Sequence, residues 1–206
     1  MTMSVQEAIA ARHSVRSFTG EPLSEAALEE LLEAARQAPS SLNSQPWRFI
    51  PVTDEETRQW IASSEVSKKQ SWLAGAPAIL VCCADLEGYV KDTQASAFFY
   101  KESKVMDEEP TQGIQEYAER EVKASEAARF GASAMNVALA VSFLMLRAVE
   151  LGLGTCWVGM FNEDQLKERF GLTTEQRVVC LLAAGHPDET SVPPRHRKSM
   201  DEIVLK

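Results

Sequence analysis

Apolar positions along the chain follow two kinds of spacing, one helical and one strand-like, and their order sketches a fold. Val5, Ala8, Ile9 and Arg12 recur at helical spacing across Ser4–Arg12, so a short helix delivers Arg12, His13 and Ser14 to its own C-terminal end. Ser24–Gln37 has an N-cap serine, glutamate in the first turn and apolar residues at Ala27, Leu28, Leu31, Leu32 and Ala35. That pattern predicts a helix, which Pro39 stops. Trp47–Thr53 (WRFIPVT) reads as a strand, and Pro51 within it points to a sheet edge or a bulge. Ala76–Ala84 (APAILVCCA) and Arg177–Ala184 (RVVCLLAA) are short continuous apolar runs, the pattern of buried strands. A sheet of at least three strands follows. Ser125–Gly152 is apolar almost all round and predicts a long helix buried in a core or at a subunit interface, of which the interface is the sharper reading. Between Leu86 and Lys123 the pattern loosens into mixed charge with Pro110 and Gly113, and no apolar stripe persists beyond about two turns. We expect this segment to be an insertion or lid over an active site.

Composition narrows the class. A chain of 206 residues with 45% hydrophobic and 25% charged residues can bury one sizeable core, so a single domain over residues 1–206 is expected. Its formal net charge of −9 opposes binding to nucleic acid or to an anionic membrane surface. Cys82, Cys83, Cys156 and Cys180 are too irregularly spaced for a disulfide framework or a zinc ligand set, and read as buried reduced thiols with no metal site. No signal-type apolar run opens the chain, and no stretch reaches about 18 uninterrupted apolar residues. A cytoplasmic location is expected.

Cations clustered in loops of an acidic chain are informative, because a phosphate needs converging donors and a solvated surface does not. Two such clusters stand out: Arg12, His13, Ser14 and Arg16 in ARHSVRSF, and Arg195, His196, Arg197 and Lys198 in PPRHRKSM. A solvated basic patch is the alternative for each. The loop APSSLNSQPW offers Ser40, Ser41, Asn43 and Gln45 as uncharged polar groups for a ligand, or serves only as a helix stop and turn. In LGLGTCWVGMF, Gly152, Gly154 and Gly159 surround Trp157, where bare backbone could approach a flat ring. That segment matches neither the P-loop nor the dinucleotide glycine pattern.

Taken in order, ARHSVRSF, APSSLNSQPWRF, GLGTCWVGMFNEDQLKERFGL, GHPDE and PRHRKSMDEIV resemble the FMN-dependent nitroreductase family across nearly the whole chain. Only the stretch from about Leu86 to Lys123 lacks a counterpart. The resemblance implies an α+β fold, a mostly antiparallel sheet wrapped by helices in an intertwined homodimer, with FMN at each of two interface sites. It implies that Arg12, His13, Ser14 and Arg16 hold the phosphate, the ribityl chain and part of the ring, and that Arg195 and Arg197 are a C-terminal phosphate pair. Pro39, Ser40, Ser41 and Asn43 match the loop that reaches the flavin from the other subunit. Trp157, Val158, Gly159 and Met160 match the stretch whose backbone lies against the ring near N5, with glycine at 159 where the family often has an acidic residue. A second polar contact falls at Lys69 or Gln70.

The implied activity is hydride transfer from NAD(P)H, as co-substrate, through flavin N5 to nitroaromatics or quinones by a ping-pong mechanism. No side chain is expected to act as an obligatory acid or base. The same scaffold also carries dehalogenases, enone reductases and flavin-fragmenting enzymes, and a non-catalytic FMN-storage protein would keep the phosphate clusters with its ring face blocked.

Overall fold

Four strands, β1 (Trp47–Val52), β2 (Ala78–Asp85), β3 (Gly154–Val158) and β4 (Gln176–Gly185), pair antiparallel throughout in the order β1-β2-β4-β3. The computed structural model that contains them describes residues 3–188 and 195–205. The two central strands are the continuous apolar runs, and β2 is buried from Ala78 through Ala84. A strand covered on both faces has no use for alternation. Pro51 sits on the edge strand β1, where a missing N–H removes no bond that the sheet interior needs. The fourth strand, β3, lies at the opposite edge and was not assigned by the hydrophobic pattern, since its five residues include Gly154 and Thr155.

Helices cover both faces. On one, Leu80, Cys82 and Ala84 of β2 and Cys180, Leu182 and Ala184 of β4 pack with Leu31 and Ala35 of α2 (Glu25–Arg36) and with Val137, Val141 and Leu144 of α7 (Glu126–Glu150). On the other, Ile79, Val81, Leu181 and Ala183 meet Ile61 of α3 (Glu55–Ala62), Val66 of α4 (Ser64–Ser67) and Leu166 of α8 (Glu163–Phe170). Each fully buried leucine or isoleucine removed from water contributes about 1.5–3 kcal/mol. The result is an α+β fold, as the sequence implies.

Among the described residues, α7 alone is long and apolar enough to cross a membrane by length and composition, and 44% of its most apolar window is buried inside the fold. The same helix carries Met135, Leu139 and Phe143, which are exposed. Residues 86–123 fold as two helices packed on one another, α5 (Leu86–Ser103) and α6 (Glu108–Lys123). Pro110 does not break α6, because it lies in the first turn, where its missing N–H has no intrahelical partner to lose. Before the sheet lies α1 (Val5–Ala11), begun by a Ser4–Glu7 capping box, and near the C-terminus lies α9 (Met200–Ile203).

Candidate functional site

The first polar cluster is fastened to β3. Past its C-cap at Arg12, the α1 chain runs alongside the strand: Ser14 bridges Thr155 in parallel, and the Val15 N–H donates to the Thr155 carbonyl at 3.0 Å. Val15 is buried, and its side chain lies directly on Gly154, where an added Cβ would sit 2.5 Å from Val15 Cγ2. Glycine at 154 therefore permits this approach. Ser14 and Arg16 face the buried thiol of Cys156: burial raises its pKa, and the Arg16 charge and a Ser14 hydrogen bond offset only part of that rise. From the far end of the chain, the Arg195 guanidinium donates to the carbonyls of Arg12 and Ala10, at the negative end of α1. His13 Nδ1 lies 3.0 Å from the Ala11 carbonyl oxygen. Arg12, His13, Ser14, Arg16 and Arg195 are thus gathered at the start of β3, and Arg197 follows two residues later, exposed, with its guanidinium on the His196 carbonyl at 3.0 Å.

The pairing of the arginines sets this place apart. Arg36, Arg48, Arg120, Arg129, Arg147, Arg169 and Arg177 each form an ion pair with a carboxylate. Arg58 bonds the Thr53 and Ala76 carbonyls. The four that remain are Arg12, Arg16, Arg195 and Arg197, and none of them has a carboxylate partner among the described residues. Although the chain has 30 acidic residues, this one arginine cluster has no carboxylate counterion among the described residues. Such a cluster suits a phosphate dianion, which fixed guanidinium groups bind by charge-assisted hydrogen bonds.

Beside it, β3 ends in a stretch open to a flat ligand. Trp157 is 37% exposed, Val158 is buried, and Gly159 and Met160 are exposed just beyond the strand. An added Cβ at Gly159 would meet only Trp157 Nε1, at 4.0 Å, so the backbone there can be approached closely. The Asn162 N–H donates to the Val66 carbonyl at 2.7 Å, which brings the turn after α4 next to this stretch. In that turn Lys69 is exposed, whereas Gln70 accepts from Trp72 Nε1 at 2.7 Å.

Pro39, Ser40, Ser41 and Asn43 lie in a loop whose bonds run elsewhere in the fold. The Ser41 N–H donates to Asn136 Oδ1 of α7 at 2.9 Å, and Ser96 Oγ of α5 donates to the Leu42 carbonyl at 2.6 Å. Within the loop the Gln45 N–H donates to Ser40 Oγ at 3.0 Å. The structure therefore joins the two basic clusters and β3 within one chain, and docks the serine loop on α5 and α7. Sequence reasoning missed the anchors Ser96 and Asn136. For Asn136 a signal existed, since a buried asparagine in the run AMNVALAV needs a hydrogen-bond partner.

The model of the Nitroreductase family matches residues 9–186. The chain belongs to the nitroreductase family. Within it, the chain is 32% identical over 204 residues to an NADH dehydrogenase of Thermus thermophilus, covering 94% of this chain and 91% of that protein. It is 30% identical over 185 residues to an FMN reductase [NAD(P)H] of Bacillus subtilis, covering 88% of this chain and 66% of that one. Its fold matches a solved structure from Exiguobacterium sibiricum, described as a nitroreductase in complex with FMN, with a TM-score of 0.80 at 22% identity over all of both chains. That structure thus shares the fold found here.

Proposed function

We propose that this nitroreductase-family protein is a single-domain, FMN-dependent oxidoreductase that uses NAD(P)H to reduce small oxidised acceptors such as nitroaromatics or quinones. The observation that carries this reading is the arginine cluster beside β3, which has no carboxylate partner among the described residues. Arg12, Arg16, Arg195 and Arg197 would hold the FMN phosphate, with His13 and Ser14 along the ribityl chain. Trp157, Val158, Gly159 and Met160 would lie along the ring, where open backbone at Gly159 can donate near N5. Bound there, the flavin would supply hydride transfer through N5 in two half-reactions, with the oxidised nucleotide leaving before the acceptor enters. The protein's contribution is to place the ring and leave one of its faces accessible.

A homodimer belongs to the same reading. Met135, Leu139 and Phe143 form an exposed apolar stripe at helical spacing on α7, and Val5 and Ile9 of α1, a neighbour of α7, are exposed as well. The loop carrying Pro39, Ser40, Ser41 and Asn43 would then serve the flavin of the second subunit. The four unpaired, buried cysteines agree with a reducing, cytoplasmic compartment.

The decisive experiment is the absorption spectrum of the purified protein and of its Arg16→Ala and Arg197→Ala variants. Wild-type protein should carry flavin bands that NADH bleaches without oxygen. Each variant should bind FMN about 10- to 150-fold more weakly, the value of a charged hydrogen bond. Full flavin retention by both variants would overturn the phosphate assignment.

A further inference from the structure

The serine loop runs into β1 beside α5, and a cleft of about 440 Å³ opens there. It is lined by Asn43, Ser44 and Gln45 of the loop, Arg48 of β1, and Asp92 and Ser96 of α5, among others. That volume falls within the range of small-molecule sites, about 300–1,000 Å³.

The fold uses only part of the hydrogen-bonding capacity of these walls. The Gln45 side-chain amide donates to the Asn43 carbonyl at 3.3 Å and to Asn43 Oδ1 at 3.1 Å. Asn43 Nδ2 and Gln45 Oε1 remain as one donor and one acceptor for a ligand. Ser44 is buried, and its hydroxyl has no hydrogen-bond partner among the described residues, which is uncommon for a buried polar group. Ser96 gives its hydrogen to the Leu42 carbonyl at 2.6 Å.

The two charged groups differ in their pairing. Arg48 Nη2 lies 2.8 Å from the Asp85 carboxylate, and Arg48 Nη1 donates to the Trp47 and Gln45 carbonyls at 2.9 and 3.2 Å. Its charge is balanced within the fold. Asp92 is partly buried, and its carboxylate has no ion-pair partner among the described residues. A carboxylate only accepts, so it suits a neutral group that carries hydroxyls and repels an anion.

We propose that this cleft takes the adenosine half of the reductant, with Asp92 accepting from the ribose diol, and that the protein thereby selects NADH over NADPH. This rests on the flavin reading, because the loop that lines the cleft is the one assigned to the cofactor. Asn43 belongs to both, which puts the cleft next to the place where the reductant gives up its hydride. The two nucleotides differ only at the adenosine 2′ position. A hydroxyl there donates to a carboxylate, whereas a phosphate sets like charge against it. Asn43 and Gln45 meet the base, which both nucleotides share, and add affinity without discrimination. Asp92 is then the specificity-determining residue.

The test uses ADP-ribose and 2′-phospho-ADP-ribose, the same two nucleotides without their nicotinamide ring. Binding of each to FMN-incubated wild-type protein, Asp92→Asn and Ala95→Trp is measured by calorimetry. Wild-type protein should bind ADP-ribose about 10- to 150-fold more tightly, the size of one hydrogen bond to a charged group. Asp92→Asn should cut that ratio by about tenfold, since an amide does not repel phosphate and accepts more weakly than a carboxylate. Ala95 is an exposed residue of the same lining, and tryptophan there should weaken both probes together by filling the cleft. No binding of either probe, equal binding of the two by wild-type protein, a ratio unchanged in Asp92→Asn, or ADP-ribose binding untouched by Ala95→Trp each overturns the proposal. Flavin content is read separately from the absorbance of each sample. Protein that keeps the preference but holds no FMN overturns the flavin reading alone, and flavin-bearing protein without the preference overturns this proposal alone.

Discussion

Gly154 is where the segment carrying Arg12 and Arg16 is pressed onto the sheet, and adding one methyl there should be costly in a way that can be calculated. An alanine Cβ would stand 2.5, 2.8 and 2.9 Å from Val15 Cγ2, Cβ and Cγ1, against a favourable carbon separation of about 3.5–4.0 Å. Val15 cannot swing into solvent, because it is buried and its backbone is bonded to Thr155. Overpacking of this kind costs about 1–3 kcal/mol. Replacing glycine within a strand returns about 0.5–1 kcal/mol through a less flexible unfolded chain. With a contact as short as 2.5 Å the overpacking cost lies in the upper part of its range, about 2–3 kcal/mol, so the net loss for Gly154→Ala is about 1–2.5 kcal/mol, or about 2–10 °C in Tm for a domain of this size. Val15→Ala alone should cost about 2 kcal/mol, from two lost methyl groups and the space they leave. In the double variant the new methyl occupies that space, so the combined loss should fall short of the sum by about 1–3 kcal/mol. Urea unfolding of the four proteins at one fixed concentration measures the cycle. A Gly154→Ala protein as stable as its parent, or losses that add within about 0.5 kcal/mol, would refute the close-approach argument.

Three further outcomes are expected. Leu139→Glu combined with Phe143→Glu should yield a monomer by light scattering with sharply reduced FMN binding, because charge on the exposed α7 stripe disfavours burial against a second copy. Asn136→Ala should cost about 1–3 kcal/mol in urea unfolding, since it leaves the Ser41 N–H without its partner, and Asn136→Asp should recover part of that loss. Burial pushes the Glu163 carboxyl up, but the Arg177 guanidinium, the Val178 N–H and Lys167 together bring it below the ordinary glutamate value. Its contribution is therefore complete above about pH 4.3 and fades as pH falls through the lowered folded value, so Glu163→Gln should flatten the acid limb of stability in urea titrations from pH 6 to about pH 3.

Much of the fold was legible because the determining signals are local. Ser24 caps α2 as its sequence predicts, and the two apolar runs form the two central strands. Pro51 marked the edge it occupies. β3 escaped because a strand of five residues containing glycine and threonine has little pattern of its own, and its place is fixed by pairing with β4. The two helices across residues 86–123 escaped for a different reason. α6 packs chiefly on α5, so its buried face is narrow, and Pro110 and Gly113 resemble breakers until the helix start at Glu108 is known. For the site, charge clustering pointed to the four arginines, but only three-dimensional pairing showed that they are the ones without carboxylate partners among the described residues. Tyr89 and Tyr117 gave no sequence signal, because their hydroxyls meet across two helices, 2.6 Å apart.

The serine loop has a consequence in time. Leu42, Asn43 and Gln45 all carry positive φ, at 47°, 54° and 42°, a region that costs a non-glycine residue about 1–2 kcal/mol. Three such residues within four positions would relax in a free chain, so the loop keeps its form only while Asn136 holds one side and Ser96 the other. During refolding the loop should therefore be the last part of the site to settle, after α5 and α7 have come to rest on the sheet. Stopped-flow refolding in the presence of FMN should show helical signal returning first, with quenching of flavin fluorescence lagging behind it. Easing the backbone by Leu42→Gly should shorten that lag.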